Sequence, residues 1–259
     1  MTLPATADFV AFYDRYFTVV RATTAEQLDL AHCLRYQVYC VENRFEDASR
    51  HRDGREIDED DDRAAHALLV HRPSGAAAGT VRVIMPLLDE RRRPLPIERA
   101  VGPAMWRQHS APPHLTAEVS RFAVSKSFRR RHGDGSYAEA GLSRLPADAA
   151  TAERRFMPFI TFGLLRAVLG ICLEHGIVHL AAMMEPALLR LLFRLGLVFE
   201  PLGSLVEHHG WRQPCVARLA DLTRRSREEA SLLWHYANRE IAEAGAARAA
   251  SGGQRARRA

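Results

Sequence analysis

The sequence predicts a mixed α/β fold in one domain, and three observations carry that reading. Two short apolar runs, Ala65–His71 and Gly79–Met85, flank Arg72-Pro73-Ser74-Gly75, where Pro and Gly stand where a type I turn wants them. From Arg155 the apolar residues recur at helical spacing and stop at Gly176, a C-cap signal. Ile177–Met184 then runs apolar without interruption, as a buried strand does. Strands first, then helix, strand and helix, imply one sheet with helices packed on it.

Taken in order, Ala7–Tyr16 reads as a short amphipathic helix and Phe17–Arg21 as a strand. Thr23 and Glu26 match a capping box, opening a helix expected to run to about Val41. Leu30, Leu34, Val38 and Val41 repeat at helical spacing and are expected to face the core. Arg35 and Tyr39, four apart, share a neighbouring face. Residues 44–63 are polar and acidic and read as a loop. Arg91–Pro113, with several prolines, is an irregular excursion before a strand around Glu118. Arg129–Ala152 is basic and then Gly- and Ala-rich, again a loop. Glu185-Pro186 starts a helix with Pro in its first turn, and Gly196 ends it. Short strands near Val198–Pro201 and Cys215–Leu219 complete the sheet, and Arg224–Ala244 reads as a closing helix. The expected organisation is one domain over 1–222, a helix over 223–244 and a disordered basic tail over 245–259.

Composition narrows the function classes. Net charge is +5, but Arg248, Arg255, Arg257 and Arg258 in the tail supply most of it. The aromatics are not interleaved with basic residues, so no stacking platform for nucleic acid is expected. Cys33, Cys40, Cys172 and Cys215 form no CxxC pair and sit among apolar residues, as reduced, buried cytosolic thiols do. Met1–Ala7 lacks the basic start and apolar core of a signal peptide. The longest apolar stretch, Phe156–Cys172, is broken by Arg166 and too short to span a bilayer. A soluble, cytoplasmic protein is expected.

Most catalytic signatures fail. There is no G-x-S-x-G elbow, no H-E-x-x-H and no P-loop. Asp58-Glu59-Asp60-Asp61-Asp62 hints at a calcium loop, but Arg63 stands where that loop needs glycine and Leu69 where it needs its glutamate. His208-His209 has no spaced ligand partner. No metal and no permanently bound cofactor is expected. What remains is charge in the wrong places. Glu118 and Arg121 lie within Ala117-Glu118-Val119-Ser120-Arg121-Phe122-Ala123-Val124, which otherwise reads as a buried strand. Arg82 sits among Val81, Val83 and Ile84 and wants an acidic partner; Asp58 and Asp61 are the nearest unassigned acids. Such charges mark either a structural ion-pair network or a reaction centre.

In this order and spacing, Arg35-Tyr36-Gln37-Val38-Tyr39, Phe45, Asp58-x-x-Asp61, Gly79-Thr80-Val81-Arg82 and Glu118-Val119-Ser120-Arg121-Phe122 resemble the signature of acyl-homoserine-lactone (autoinducer) synthases. Those enzymes belong to the GNAT acyltransferase superfamily. Tyr39 and Phe45 stand where that signature has other aromatics. Longer blocks, Leu34–Asn43, Ser120–Lys126, Met184–Arg190 and Gly210–Val216, resemble acyltransferases associated with the PEP-CTERM/exosortase system, relatives of N-acyl amino acid synthases. The resemblance covers roughly residues 10–220.

It implies a GNAT fold, a mixed and mostly antiparallel twisted sheet flanked by helices. It implies transfer of a fatty acyl group from a thioester of acyl carrier protein or coenzyme A to a small amine or amino acid. Glu118 becomes the general base, with Ser120 and Arg121 as further catalytic residues. Arg35, Tyr39, Phe45, Asp58, Asp61 and Arg82 form the acceptor site. Phe122, Val124, Arg129, Arg130, Arg131, Gly133 and Gly135 fall to the acyl donor, the last residues through the phosphate-binding spacing R-x-x-G-x-G. Strand alternation puts Glu118 and Ser120 on one face and Arg121 on the other, so a bulge is required for all three to serve one site. Acyl carrier protein is the expected partner, with a peripheral membrane contact left open. Alternatives are a true homoserine-lactone synthase using S-adenosylmethionine and a non-catalytic GNAT-like binding module.

Overall fold

A computed structural model describes residues 11, 13–87, 93–107, 111–129, 160–194, 197–208 and 210–222, without the side chains at 129, 191 and 194. The expected closing helix, the basic tail, most of the 129–152 loop, Gly196 and His209 lie outside these residues, as does half of the first helix. Contacts gather the chain into two compact units: residues 1–84 with 120–167, and residues 85–119 with 168–259.

In the first unit β1 (Phe17–Ala22), β2 (Ala64–His71) and β3 (Ala77–Ile84) form an antiparallel run. The second half of β4 (Thr116–Val124) follows β3. Val81, Val83 and Ile84 are fully buried, which explains why β3 reads as continuously apolar around its arginine. Gly79 is required where β3 meets β4: a Cβ there would lie 2.8 Å from the Ala123 carbonyl oxygen. The turn between β2 and β3 falls where Pro73 and Gly75 place it, with Gly75 at φ 69°.

Helix α1 (Ala25–Arg35) starts one residue later than expected. Thr24, not Thr23, is the N-cap, and Gln27 closes the capping box. Thr24–Gln27 satisfies the same S/T-x-x-E/Q spacing, and extended Thr24 can accept the Gln27 N–H. Beyond Arg35 the chain winds into a π-helix over Tyr36–Glu42. The expected apolar face is correct for Leu34 and Val38, which are buried, and wrong for Leu30 and Val41, which are 42% and 49% exposed. The inward face centres on Ala31, Leu34, Arg35 and Val38, because burying the Arg35 guanidinium turns Leu30 to the flank.

In the second unit the first half of β4 pairs in parallel with β5 (His179–Met184), from Thr116↔His179 to Val119↔Ala182. β8 (Trp211–Arg218) lies antiparallel to β5 and also pairs with β6 (Glu200–Pro201) and β7 (Val206–Glu207). The 91–113 excursion is less irregular than its prolines suggest. It holds α2 (Pro96–Val101), with Pro at its first turn, and α3 (Pro103–Arg107).

Helix α4 (Lys126–Arg129) follows β4. α5 (Thr161–Glu174) contributes Phe162, Leu164 and Ala167 to the first core and Ile171 and Cys172 to the second. It stops before Gly176 at φ 66°, as the sequence indicates. α6 (Pro186–Arg194) follows β5. Cys40, Cys172 and Cys215 are buried free thiols, and Cys33 is half-buried. Among the described residues no helix is long and apolar enough to cross a membrane.

Candidate active site

Three arginines from α1, β3 and β4, spread over 86 residues of sequence, converge in the first unit. Arg35 ends α1 with no exposed surface. Its Nε donates to Glu56 Oε2 at 2.6 Å, and its two terminal nitrogens grip Asp61 at 2.5 and 3.0 Å. That fork is the geometry guanidinium offers a carboxylate. Arg82 projects from β3, two residues before its end, and is buried. Its Nη1 donates to Asp58 at 2.5 Å and to Asp61 at 3.0 Å, the partners its sequence surroundings called for. Its Nε donates to Ser120 Oγ at 2.9 Å.

Arg121 completes the network. Nε and Nη2 donate to Glu56 at 3.0 and 2.9 Å, and Nη2 also reaches Glu46 and Asp58. The guanidinium lies over the Tyr39 ring, 5.2 Å from its centroid, and Tyr39 lies 6.2 Å from Phe45. Arg121 takes φ 48°, a left-handed conformation uncommon for a residue with a Cβ. This breaks the alternation of β4 and lets Ser120 and Arg121 serve one network.

The acidic loop supplies the counter-charges and is not a solvated loop: Glu56 and Asp60 are 1% and 2% exposed. Its backbone is fixed by Asp58 N–H to Asp61, Asp60 N–H to Asp58, and Glu56 N–H to the His32 carbonyl on α1. Burial pushes the Glu56 carboxyl up, but Arg121 and Arg35 outweigh it and hold it at about 2. Asp61 is opposed by burial in the same way and held far down by Arg35 and Arg82. Asp58 follows it through Arg82 and Arg121. Burial disfavours the Arg121 charge, and Glu56 more than restores it. All four members are therefore charged across the neutral range.

Two histidines flank the network. His66 sits opposite Arg82 in the β2–β3 register, with Nε2 3.3 Å from Asp61. Burial first, then the Arg35 charge, lowers it to about 4. His32 meets it edge-on at 5.5 Å. His32, Asp61 and His66 are the one trio among the described residues whose ligand atoms lie close enough for a metal ion, within 4.8 Å. The donor set does not fit a cation. Both oxygens of Asp61 already accept from Arg35, one also from Arg82 and the other from the Asp58 amide.

In the second unit Glu118 is 2% exposed and accepts the Ile97 N–H, near the start of α2, at 2.8 Å. Of the residues assigned to the donor, Phe122 is half-buried, and Val124 is buried with Cγ2 against Gly79. The Arg129 side chain and Arg130, Arg131, Gly133 and Gly135 lie outside the described residues. Glu56 and Glu46 escaped the sequence reading. Their signal was charge balance: three arginines in apolar settings outnumber the two aspartates assigned to them.

Residues 34–136, which hold this network and Glu118, match a family model described as Acetyltransferase (GNAT) domain. The chain has a GNAT-like fold. Coenzyme-A-dependent acyl-homoserine lactone synthase BjaI aligns at TM-score 0.55 and 20% identity, over 83% of this chain and 90% of that one. The acyl-homoserine lactone synthase LasI aligns at 0.53 and 17%, over 81% and 96%. FeeM, an N-acyl amino acid synthase from uncultured soil microbes, aligns at 0.48 and 19%, over 81% and 94%. None of the curated proteins matches the chain. The GNAT-like fold and the matched domain agree with the expected enzyme class, an acyltransferase.

Proposed function

We propose that the protein is an N-acyltransferase that moves a fatty acyl group from a thioester of acyl carrier protein or coenzyme A to a small amine or amino acid. The observation that carries this is the buried network of Arg35, Arg82 and Arg121 with Glu56, Asp58 and Asp61, inside a matched GNAT domain. Its ionic geometry is rigid and costly to desolvate, and a sheet needing only adhesion would be served as well by apolar side chains. Asp58 and Glu46, at 30% and 22% side-chain exposure, are the part of it open to a ligand.

Acyl transfer to an amine requires a proton acceptor, and Glu118 takes that role, worth roughly 10²–10⁴ in rate. Ser120 and Arg121 are the further catalytic residues of this reading. The donor contacts fall to Phe122, Val124 and the basic segment through Gly135. The association with a PEP-CTERM/exosortase system and the cytoplasmic location belong to this proposal as well. A second reading has support from the solved structures: BjaI was determined with S-adenosylmethionine and isopentyl-coenzyme A, so a lactone-forming reaction on S-adenosylmethionine is its rival.

Mass spectrometry of lipid extracts from cells overexpressing the protein decides between them. New N-acyl amines or amino acids, absent with Glu118→Gln, support the proposal. An acyl lactone whose formation needs S-adenosylmethionine supports the rival. Glutamine can still accept the Ile97 N–H, so the variant is expected to fold. Unchanged products with Glu118→Gln would remove Glu118 from the mechanism.

A further inference from the structure

Tyr39 is held at its carbonyl and at its ring, but not at its hydroxyl. It lies in the π-helix, and such departures from α-helical winding are frequent at functional sites. Its carbonyl accepts the N–H groups of Phe45, at 2.7 Å, and Glu46, at 3.1 Å, past Arg44 at φ 55°. One side of the ring meets the Arg121 guanidinium, and Phe45 packs beside it. Arg121 is fixed in turn by three carboxylates. Yet the phenolic oxygen has no hydrogen-bond partner among the described residues, whereas Arg35, Glu56, Asp58, Asp61, Arg82 and Arg121 each have at least two bonds. Burial raises the phenol above its ordinary range, so it stays a neutral donor.

We propose that the Tyr39 hydroxyl is a specificity-determining group, donating a hydrogen bond to an oxygen of the acceptor, so that amines bearing a carboxylate or carbonyl oxygen are preferred over plain amines. A ring pinned this firmly loses little freedom when a ligand arrives, so the bond contributes nearly its full worth to selection. The two candidate oxygens share one chemistry, and the assay separates them. This rests on the acyl-transfer reading above.

The test is steady-state kinetics with decanoyl-coenzyme A and decanoyl-acyl carrier protein as donors. The acceptors are a panel of amino acids, their methyl esters and the corresponding decarboxylated amines. Tyr39→Phe keeps the ring and removes one oxygen. The variant is expected to raise the acceptor KM about tenfold for acids, esters or both, as loss of one hydrogen bond does. The donor KM and melting temperature are expected to stay as in the wild type, and the penalty on decarboxylated amines is expected to be clearly smaller than that on the preferred acceptors. A penalty on the acid alone identifies a carboxylate, and one shared with the ester identifies a carbonyl oxygen. An equal loss on all three acceptors, or none, overturns the proposal while acyl transfer stands. Failure of the wild type to acylate any of them removes the acyl-transfer reading and this inference with it.

Discussion

At the residue scale, the network makes two opposite demands on protonation, and both make the fold acid-sensitive. His66 is held neutral by burial and by Arg35, and Arg82 and Asp61 also face it. Between its ordinary value of 6.5 and its folded value of about 4, the unfolded chain takes up a proton that the folded chain refuses. Stability is therefore lost as pH falls through that window. Glu56 works lower: its contribution is present above 4.5 and lost as pH falls toward about 2. His66→Gln keeps a donor toward Asp61 but cannot titrate. Denaturant unfolding at pH 7 and pH 5 should show the wild type losing on the order of 1–2 kcal/mol and the variant distinctly less. Parallel curves for the two proteins would show that His66 is free to protonate in the folded state.

At the element scale, β3 and β4 approach so closely that one position admits only glycine. A methyl at Gly79 would meet the Ala123 carbonyl oxygen at 2.8 Å and Leu164 Cδ1 at 3.1 Å. The backbone oxygen cannot rotate away as a flexible side chain could. Gly79→Ala is expected to destabilise by roughly 1–3 kcal/mol, read as a lower denaturation midpoint at unchanged slope. Because Arg82 and Ser120 ride on these two strands, acceptor KM should rise in the same variant. A wild-type midpoint would mean that the strands part without cost. The π-helix belongs to this scale as well. Periodicity locates the helix and half of its buried face, but a change from α to π winding leaves no period of its own, so the exposure of Val41 was not readable. The cap moved by one residue for a simpler reason: Thr23 and Thr24 both fit the spacing.

At the scale of the whole molecule, the question is which donor the enzyme meets. Lys126, Arg129, Arg130 and Arg131 place four cationic residues within six positions after β4. Carrier proteins are acidic, so such a cluster would steer them by long-range attraction. Reversing Arg129 and Arg131 to Glu is expected to lower kcat/KM for acyl-carrier protein about tenfold or more at low salt, and less at physiological salt. A loss equal or greater with acyl-coenzyme A would assign the arginines to the phosphates of that donor instead.

The sequence by itself determined the α/β class, most strands to within two residues, and the members of the site that carry charge where apolar neighbours forbid it. Arg82 among valines and Glu118 and Arg121 on an apolar strand are legible because an isolated buried charge is too costly to stand without purpose or partner. Only the tertiary structure decided which charges meet. Arg35 is 21 residues from Glu56 and Arg121 is 65 residues from it, yet both close on that carboxylate. Glu56 reads as one acid among many in a polar loop. Its burial exists only once α1, β3 and β4 have packed, and packing is a property of surfaces brought together rather than of any local pattern.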